Sequence, residues 1–158
     1  MGKKKKKAYE VRDSPIHGKG VFAARNIKKG EDIIEYKGRL LTAEEADMIY
    51  EGDETGHTFL FTLNEEWVID ANVTGGKARW INHSCEPNCG SYLLEHPGDD
   101  RTKDKMMIEA IRNIKKGEEL GYNYEITVDY RLSKEEKELW KCLCGSKKCI
   151  GTMIRGTK

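Results

Sequence analysis

Three cysteines lie within eight residues near the end of this 158-residue sequence: Cys142, Cys144 and Cys149, a C-x-C-x4-C arrangement with Gly145 in the turn. Three thiolates this close can share one ion, and tetrahedral Zn²⁺ takes four ligands. The two remaining cysteines, Cys85 and Cys89, stand more than fifty residues earlier, and spacing alone does not choose between them. A metal bridging the two stretches would staple the C-terminal tail onto the loop around Asn82 and His83. Any fold of this chain must then return its tail to that loop. Five is an odd number, and three crowded cysteines pair poorly, so the spacing favours zinc and a reducing compartment over a disulfide framework. Lys141, Lys147 and Lys148 stand where they could offset the thiolate charge.

A chain of this length is expected to form one domain that buries ~70% of its unfolded surface, enough for a core. With 37% hydrophobic and 35% charged residues it reads as soluble and globular. No apolar run approaches the ~18 residues of a membrane span. No apolar segment follows the N-terminal lysines, so no secretory signal is expected. Met1-Gly2 begins a myristoylation pattern that fails at Lys6, where Ser or Thr is required. The net charge of +1 conceals an asymmetry: beyond residue 10, 23 basic residues face 26 acidic ones. A mildly acidic body suits a basic peptide better than a nucleic-acid backbone, so direct nucleic-acid binding is not expected. Residues 1–8 carry the run Lys3 to Lys7 and no hydrophobic pattern, the composition of a disordered tail that could serve as a localisation signal or a solubilising segment.

From Tyr9 onward the pattern is of short strands broken by glycine. Strands are predicted at Gly20 to Ala24, Ile33 to Tyr36, Phe59 to Leu63, Trp67 to Asp70 and Met106 to Ile111. A turn is expected at Asn64-Glu65 and an exposed loop at Pro97 to Asp100. Thr42-x-x-Glu45 reads as a capping box opening a helix to about Tyr50, and Ser133 to Glu136 opens a second, charged helix. One near-repeat, Asn-Ile-Lys-Lys-Gly-Glu, occurs at Asn26 to Glu31 and again at Asn113 to Glu118. Two copies are too few for a solenoid, so each is read as a similar turn. The class is β-rich, mainly β with few short helices.

Three motifs carry chemistry. His17-Gly18-Lys19-Gly20 brings two glycines before an apolar strand, which permits close backbone approach to a ligand or simply a tight turn. No third glycine or helix follows, so it is no dinucleotide fingerprint. Arg79-Trp80-Ile81-Asn82-His83-Ser84-Cys85-Glu86-Pro87-Asn88 could be a plain polar loop. Gly117-Glu118-Glu119-Leu120-Gly121-Tyr122-Asn123-Tyr124 puts two tyrosines at i and i+2, on one face of a strand, where packing is the ordinary role.

Together these motifs resemble the SET-domain protein-lysine N-methyltransferases with a post-SET zinc-binding tail, over roughly Tyr9 to Met153. The second motif matches the family pattern R-F-x-N-H-S-C-x-P-N with Trp80 for Phe; the third matches G-E-E-L-x-[FY]-D-Y with Asn123 for Asp. The resemblance implies a β-clip-like fold whose C-terminal segment, around Tyr122 to Tyr130, threads knot-like beneath a loop near Asn82-His83. It implies a SET domain over 9–132 and a post-SET segment over 133–158. S-adenosylmethionine would be held by His17, Gly18, Lys19 and Gly20, by the Asn82 amide and the His83 backbone, and by Phe59 and Leu143, with Trp140 helping to close the lid. Tyr124 would be the catalytic tyrosine, and Tyr122 would set how many methyls fit. Cys85 would complete the zinc site with Cys142, Cys144 and Cys149, leaving Cys89 a spare thiol.

The implied reaction moves a methyl from the sulfonium to a lysine ε-amine, mainly once or twice, leaving S-adenosylhomocysteine. The implied partner is a protein with an exposed lysine, a histone tail or another basic protein, met by a monomer in the nucleus or cytoplasm. The competing reading is a catalytically silent SET-like module that binds peptide or chromatin. A small zinc-binding nucleic-acid protein is a third, against which the acidic body and the missing finger spacings speak.

Overall fold

The computed structural model describes residues 7–16, 18–51, 59–124, 126–127 and 130–155. Twelve strands and two helices are described: β1 (Tyr9–Asp13), β2 (Lys19–Ala23), β3 (Asp32–Tyr36), β4 (Gly38–Leu41), α1 (Ala43–Ile49), β5 (Leu60–Thr62), β6 (Val68–Gly75), β7 (Asn82–His83), β8 (Cys89–Leu94), β9 (Lys105–Ala110), β10 (Gly121–Tyr122), β11 (Ile126–Thr127), α2 (Lys134–Leu139) and β12 (Ile154–Arg155). The β-rich class expected from the glycine-broken pattern is the class observed. Among the described residues no helix is long and apolar enough to cross a membrane.

The chain forms two compact units, one from residues 1–31, 80–90 and 110–158, the other from 32–79 and 91–109. In the first, β1 and β2 form an antiparallel hairpin running from Tyr9 opposite Ala23 to Asp13 opposite Lys19. Val21 and Ala23 turn inward to a core with Ile27, Ile81, Ile114 and Leu120, each at most 1% exposed. The strand edge continues beyond the hairpin: Ala23 N–H donates to the Glu118 carbonyl and Leu120 N–H to the Val21 carbonyl, both at 2.8 Å. Two short parallel pairs complete this unit, β10 beside β7 and β11 beside β12. The second pair returns the tail to the body. The expected threading of residues 122–130 involves positions 125, 128 and 129, which lie outside the described residues.

The second unit holds two three-stranded sheets, ordered β4-β6-β5 and β3-β9-β8. The capping box at α1 is formed as predicted: Thr42 Oγ1 accepts from Glu45 N–H and Glu45 Oε1 accepts from Thr42 N–H. Asp70, fully buried on β6, accepts from Arg39 Nε at 2.8 Å, Tyr50 Oη at 2.7 Å and Asn72 N–H at 2.9 Å. The predicted turn at Asn64-Glu65 is closed by Asn64 Oδ1, which accepts from the Glu66 and Trp67 amides.

The strand expected at Trp67 to Asp70 runs on to Gly75, because a register shift lets Gly38 of β4 pair with Gly75. That extension follows from its partner and leaves no apolar alternation in the sequence. The strand expected at Phe59 to Leu63 is shorter, Leu60–Thr62, and β1, β4, β7, β8, β11 and β12 have no counterpart among the predicted strands.

Candidate functional site

The site is built around β7, a strand of two residues. Successive side chains of a strand point to opposite faces, so Asn82 and His83 serve two different surroundings. On one face, Asn82 Nδ2 donates to Glu119 Oε2 at 2.8 Å and also approaches Ser14 Oγ and the Lys19 carbonyl, both at 3.2 Å. Ser14 Oγ lies 2.9 and 2.8 Å from the two Glu119 oxygens. Gly20 is glycine for this reason: a Cβ there would collide with Glu119 Oε2 and meet Ser14 Cβ at 2.9 Å. Gly18, at φ 44°, turns the chain so that its carbonyl accepts from Ser14 N–H at 2.8 Å. The Lys19 carbonyl of the glycine motif thus lies beside Asn82, and the same amide is bonded to Ser14 and Glu119, two residues that sequence reasoning passed over. Glu119 was legible only as one of two adjacent glutamates in the third motif.

On the other face, His83 is buried and its ring bridges two elements. Nδ1 accepts from the Tyr124 amide at 3.1 Å, and Nε2 lies 3.5 Å from Cys85 Sγ. A neutral imidazole that accepts at one nitrogen carries its proton on the other, so Nε2–H faces the sulfur. The His83 and Tyr124 rings meet edge-on with centroids 5.3 Å apart, and Tyr122 lies 4.9 Å from Tyr124. Tyr124 Oη donates to the Ile81 carbonyl at 2.5 Å. The Ser84 amide donates to the Tyr122 carbonyl at 3.0 Å. Alternating peptide directions then turn the His83 backbone groups to the edge away from β10. Asn88 locks the pairing: its Nδ2 donates to the Glu119 carbonyl and its Oδ1 accepts from Gly121 N–H, both at 2.9 Å.

The cysteines resolve the choice that spacing left open. The sulfurs of Cys85, Cys142, Cys144 and Cys149 all lie within 4.8 Å of one another, and Cys85 Sγ is 3.7 Å from Cys142 Sγ. Four thiolates ~2.3 Å from one zinc ion form a tetrahedron with edges of about 3.8 Å, so the residues fit such an ion. All five cysteines are free thiols.

Cys89 is apart from this group and 1% exposed; burial pushes its thiol up to about 12. Burial also opposes ionisation of Cys144, but the backbone N–H groups of Cys85 and Ser146 outweigh it and bring that thiol down to about 7. The tail is shaped for the cluster by backbone bonds from Cys142 N–H to the Gly151 carbonyl and from Met153 N–H to the Trp140 carbonyl. Ser146 Oγ donates to Glu86 Oε2 at 2.8 Å, a second tie between tail and body.

A cleft of about 260 Å³ opens beside these groups, lined among others by Ile16, Asn82, Ser84, Asn88, Glu119 and Cys144. Its wall brings the Asn82 side and the tail together. Leu143 is 51% exposed and Trp140 is buried. Phe59 is half-buried in the second unit, and His17 lies outside the described residues.

The family model for the SET domain matches residues 18–130. The chain is 38% identical over 152 residues to human histone-lysine N-methyltransferase 2B, covering 94% of this chain and 5% of that protein. It is 39% identical over 152 residues to the Emericella nidulans histone-lysine N-methyltransferase, H3 lysine-4 specific, covering 94% and 12%. It is 40% identical over 150 residues to Caenorhabditis elegans histone-lysine N-methyltransferase set-2, covering 93% and 9%. The chain therefore spans about an eighth or less of the length of these relatives.

Proposed function

The chain belongs to the SET-domain family, and from that premise we propose that it is a protein-lysine N-methyltransferase drawing its methyl group from S-adenosylmethionine. The observation that carries the reading is the meeting, around one two-residue strand, of Asn82 with the glycine motif on one face and of His83 with Tyr122 and Tyr124 on the other.

S-adenosylmethionine, when bound, supplies a methyl activated by a sulfonium. The residues proposed to hold it are His17, Gly18, Lys19, Gly20, Asn82, His83, Phe59 and Leu143. Asn82 directs its amide N–H groups at Glu119, Ser14 and Lys19; its side chain is the proposed partner of the cofactor's ammonium group, with the Glu119 carboxylate beside it. The His83 backbone edge is suited to a heterocycle.

The nucleophile must be a neutral amine, whereas free lysine has a pKa of ~10.4. Desolvation between Tyr122 and Tyr124, together with a nearby positive charge, favours loss of the proton. Tyr124 donates its own proton to the Ile81 carbonyl, and the proposed role of its oxygen is that of an acceptor that orients the amine. Alignment and exclusion of water supply most of the acceleration. Cys85, Cys142, Cys144 and Cys149 would hold zinc, with a structural role. Each relative is named a histone-lysine N-methyltransferase, one of them specific for H3 lysine 4. A histone tail is accordingly the proposed substrate, met in the nucleus.

The test is transfer of radiolabelled methyl from S-adenosylmethionine to core histones and a cell extract, with Tyr124→Phe alongside. Label on a protein band with the native chain, reduced at least 100-fold in Tyr124→Phe, is the expected result. Equal labelling by the variant overturns the role of Tyr124. Absence of label despite measured cofactor binding and bound zinc favours the silent binding module.

A further inference from the structure

The near-repeat has a structural counterpart that methyl transfer does not use. Ile27 and Ile114 exchange both backbone hydrogen bonds, each at 2.8 Å. Around this pair the contacts repeat with the roles swapped. Lys29 N–H donates to Asn113 Oδ1 and Lys116 N–H donates to Asn26 Oδ1, both at 2.9 Å. Arg25 pairs with Glu31 and reaches the Asn26 carbonyl; Arg112 pairs with Glu118 and reaches the Asn113 carbonyl. Gly30 and Gly117 close the two turns at φ 85° and 93°. The two segments are thus related by a local pseudo-twofold axis through the Ile27–Ile114 pair.

Both isoleucines are 1% exposed and point inward. In an antiparallel pair the residues next to an inward-facing pair point outward, on one shared face. Lys28 and Lys115 therefore stand on the same solvent face, about 8 Å apart by strand geometry, with exposed Lys29 and Lys116 at the flanking turns. The arginines are matched by Glu31 and Glu118, whereas none of the four lysines forms an ion pair among the described residues. Ala24 N–H also donates to the Ala8 carbonyl at 2.8 Å, which fixes Ala8 next to the start of the first turn. The prediction against nucleic acid rested on the net charge of the body, and the fold concentrates cations that the net charge averages away.

We propose that this pseudo-twofold lysine face binds the phosphate backbone of duplex nucleic acid without reading its sequence. Lysine is a point-charge partner for phosphate. A duplex carries local twofold axes between two phosphate rows, which a symmetric pair of lysine turns can meet on both strands. An acidic polypeptide has no such symmetry.

The experiment is fluorescence anisotropy of a labelled mixed-sequence 20-base-pair DNA duplex titrated with the full chain between 50 and 300 mM salt. The variant is K28Q/K29Q/K115Q/K116Q, which leaves every backbone and asparagine contact of the turns in place. A matched control is K37Q/K77Q/K103Q/K105Q, four exposed lysines of the second unit. Each phosphate contact contributes a slope of about −0.9 in log affinity against log salt. The face variant should therefore lose at least tenfold in affinity near 100 mM salt and flatten the slope by about 3 to 4, with the control changed less than threefold. Unaltered thermal unfolding and unaltered methyl transfer to a free peptide establish that the face variant is folded. Equal losses in variant and control overturn the proposal. So does binding that disappears in K3Q/K4Q/K5Q/K6Q/K7Q but survives intact in the face variant. Polyglutamate displacing the duplex as well as unlabelled DNA does would reassign the face to acidic proteins.

Discussion

The Tyr124 amide donates to His83 Nδ1 at 3.1 Å, and the other nitrogen of the same ring lies 3.5 Å from Cys85 Sγ. One imidazole thus ties the backbone of the proposed catalytic tyrosine to a ligand of the proposed metal. Outer partners of metal ligands typically contribute 10–100-fold to metal affinity or activity. His83→Ala should lower kcat by that range with little change in KM for the cofactor, and should speed release of zinc to a colorimetric chelator. Unchanged metal release together with unchanged kcat would show that the ring only fills space.

Glu119 works on the opposite face. Without its carboxylate, the Asn82 amide loses its shortest acceptor and Ser14 loses its partner. Glu119→Ala is expected to raise KM for S-adenosylmethionine roughly tenfold or more, because a hydrogen bond to a charged group is worth about 1.5–3 kcal/mol, while kcat changes less. Isothermal titration with S-adenosylhomocysteine checks the binding part directly.

The two upstream cysteines separate cleanly. Cys85→Ser should reduce bound zinc well below one equivalent by elemental analysis and loosen the tail. Cys89→Ser should retain the metal and cost about 1–3 kcal/mol of stability, the penalty of a hydroxyl placed in an apolar site. Equal zinc loss in both variants would contradict the cluster.

Tyr122, buried against Tyr124, is the proposed limit on product size. Replacing it with Phe removes a hydroxyl from the amine pocket, so mass spectrometry of the modified peptide should shift from mono- and dimethyl-lysine toward trimethyl-lysine. An identical product distribution would sink this role.

Asp70 gives the second unit an acid limit. Burial raises its pKa, but the hydrogen bonds from Tyr50, the Asn72 amide and Arg39 outweigh that and hold the carboxyl below the ordinary carboxylate range. A lowered folded-state pKa contributes stability that is fully present above the unfolded value near ~3.9 and is lost as pH falls through the folded value. Asp70→Asn should cost about 2–3 kcal/mol at neutral pH and remove that part of the acid-induced loss, as read by urea unfolding at pH 7 and below pH 4. Arg39 is 37% exposed, so water compensates part of its lost partner.

Much of this chain was legible because local chemistry decides it. Thr42 caps its helix through the hydrogen bonds its capping box predicts, Ser133 opens the second helix where expected and caps it in the same way, and Asn64 closes its turn with its own side chain. The glycine-broken apolar runs located β2, β3 and β9 to within a residue or two. The cysteine spacing marked three of the four thiols that gather in the cluster, and the three motifs carried the family.

Other features depend on partners distant in the chain. The sequence by itself determined the secondary-structure class, the caps and the residue types of the site, since each rests on bonds between residues a few positions apart. The tertiary structure decided that Cys85 and not Cys89 joins the cluster, that Glu119 reaches Asn82 across 37 residues, and that two copies of one hexapeptide meet about an axis. It decided these because a sulfur, a carboxylate or a lysine acquires its role from what stands within a few ångströms. For these groups the neighbours come from strand pairing and core packing between residues dozens of positions apart, which no local pattern encodes.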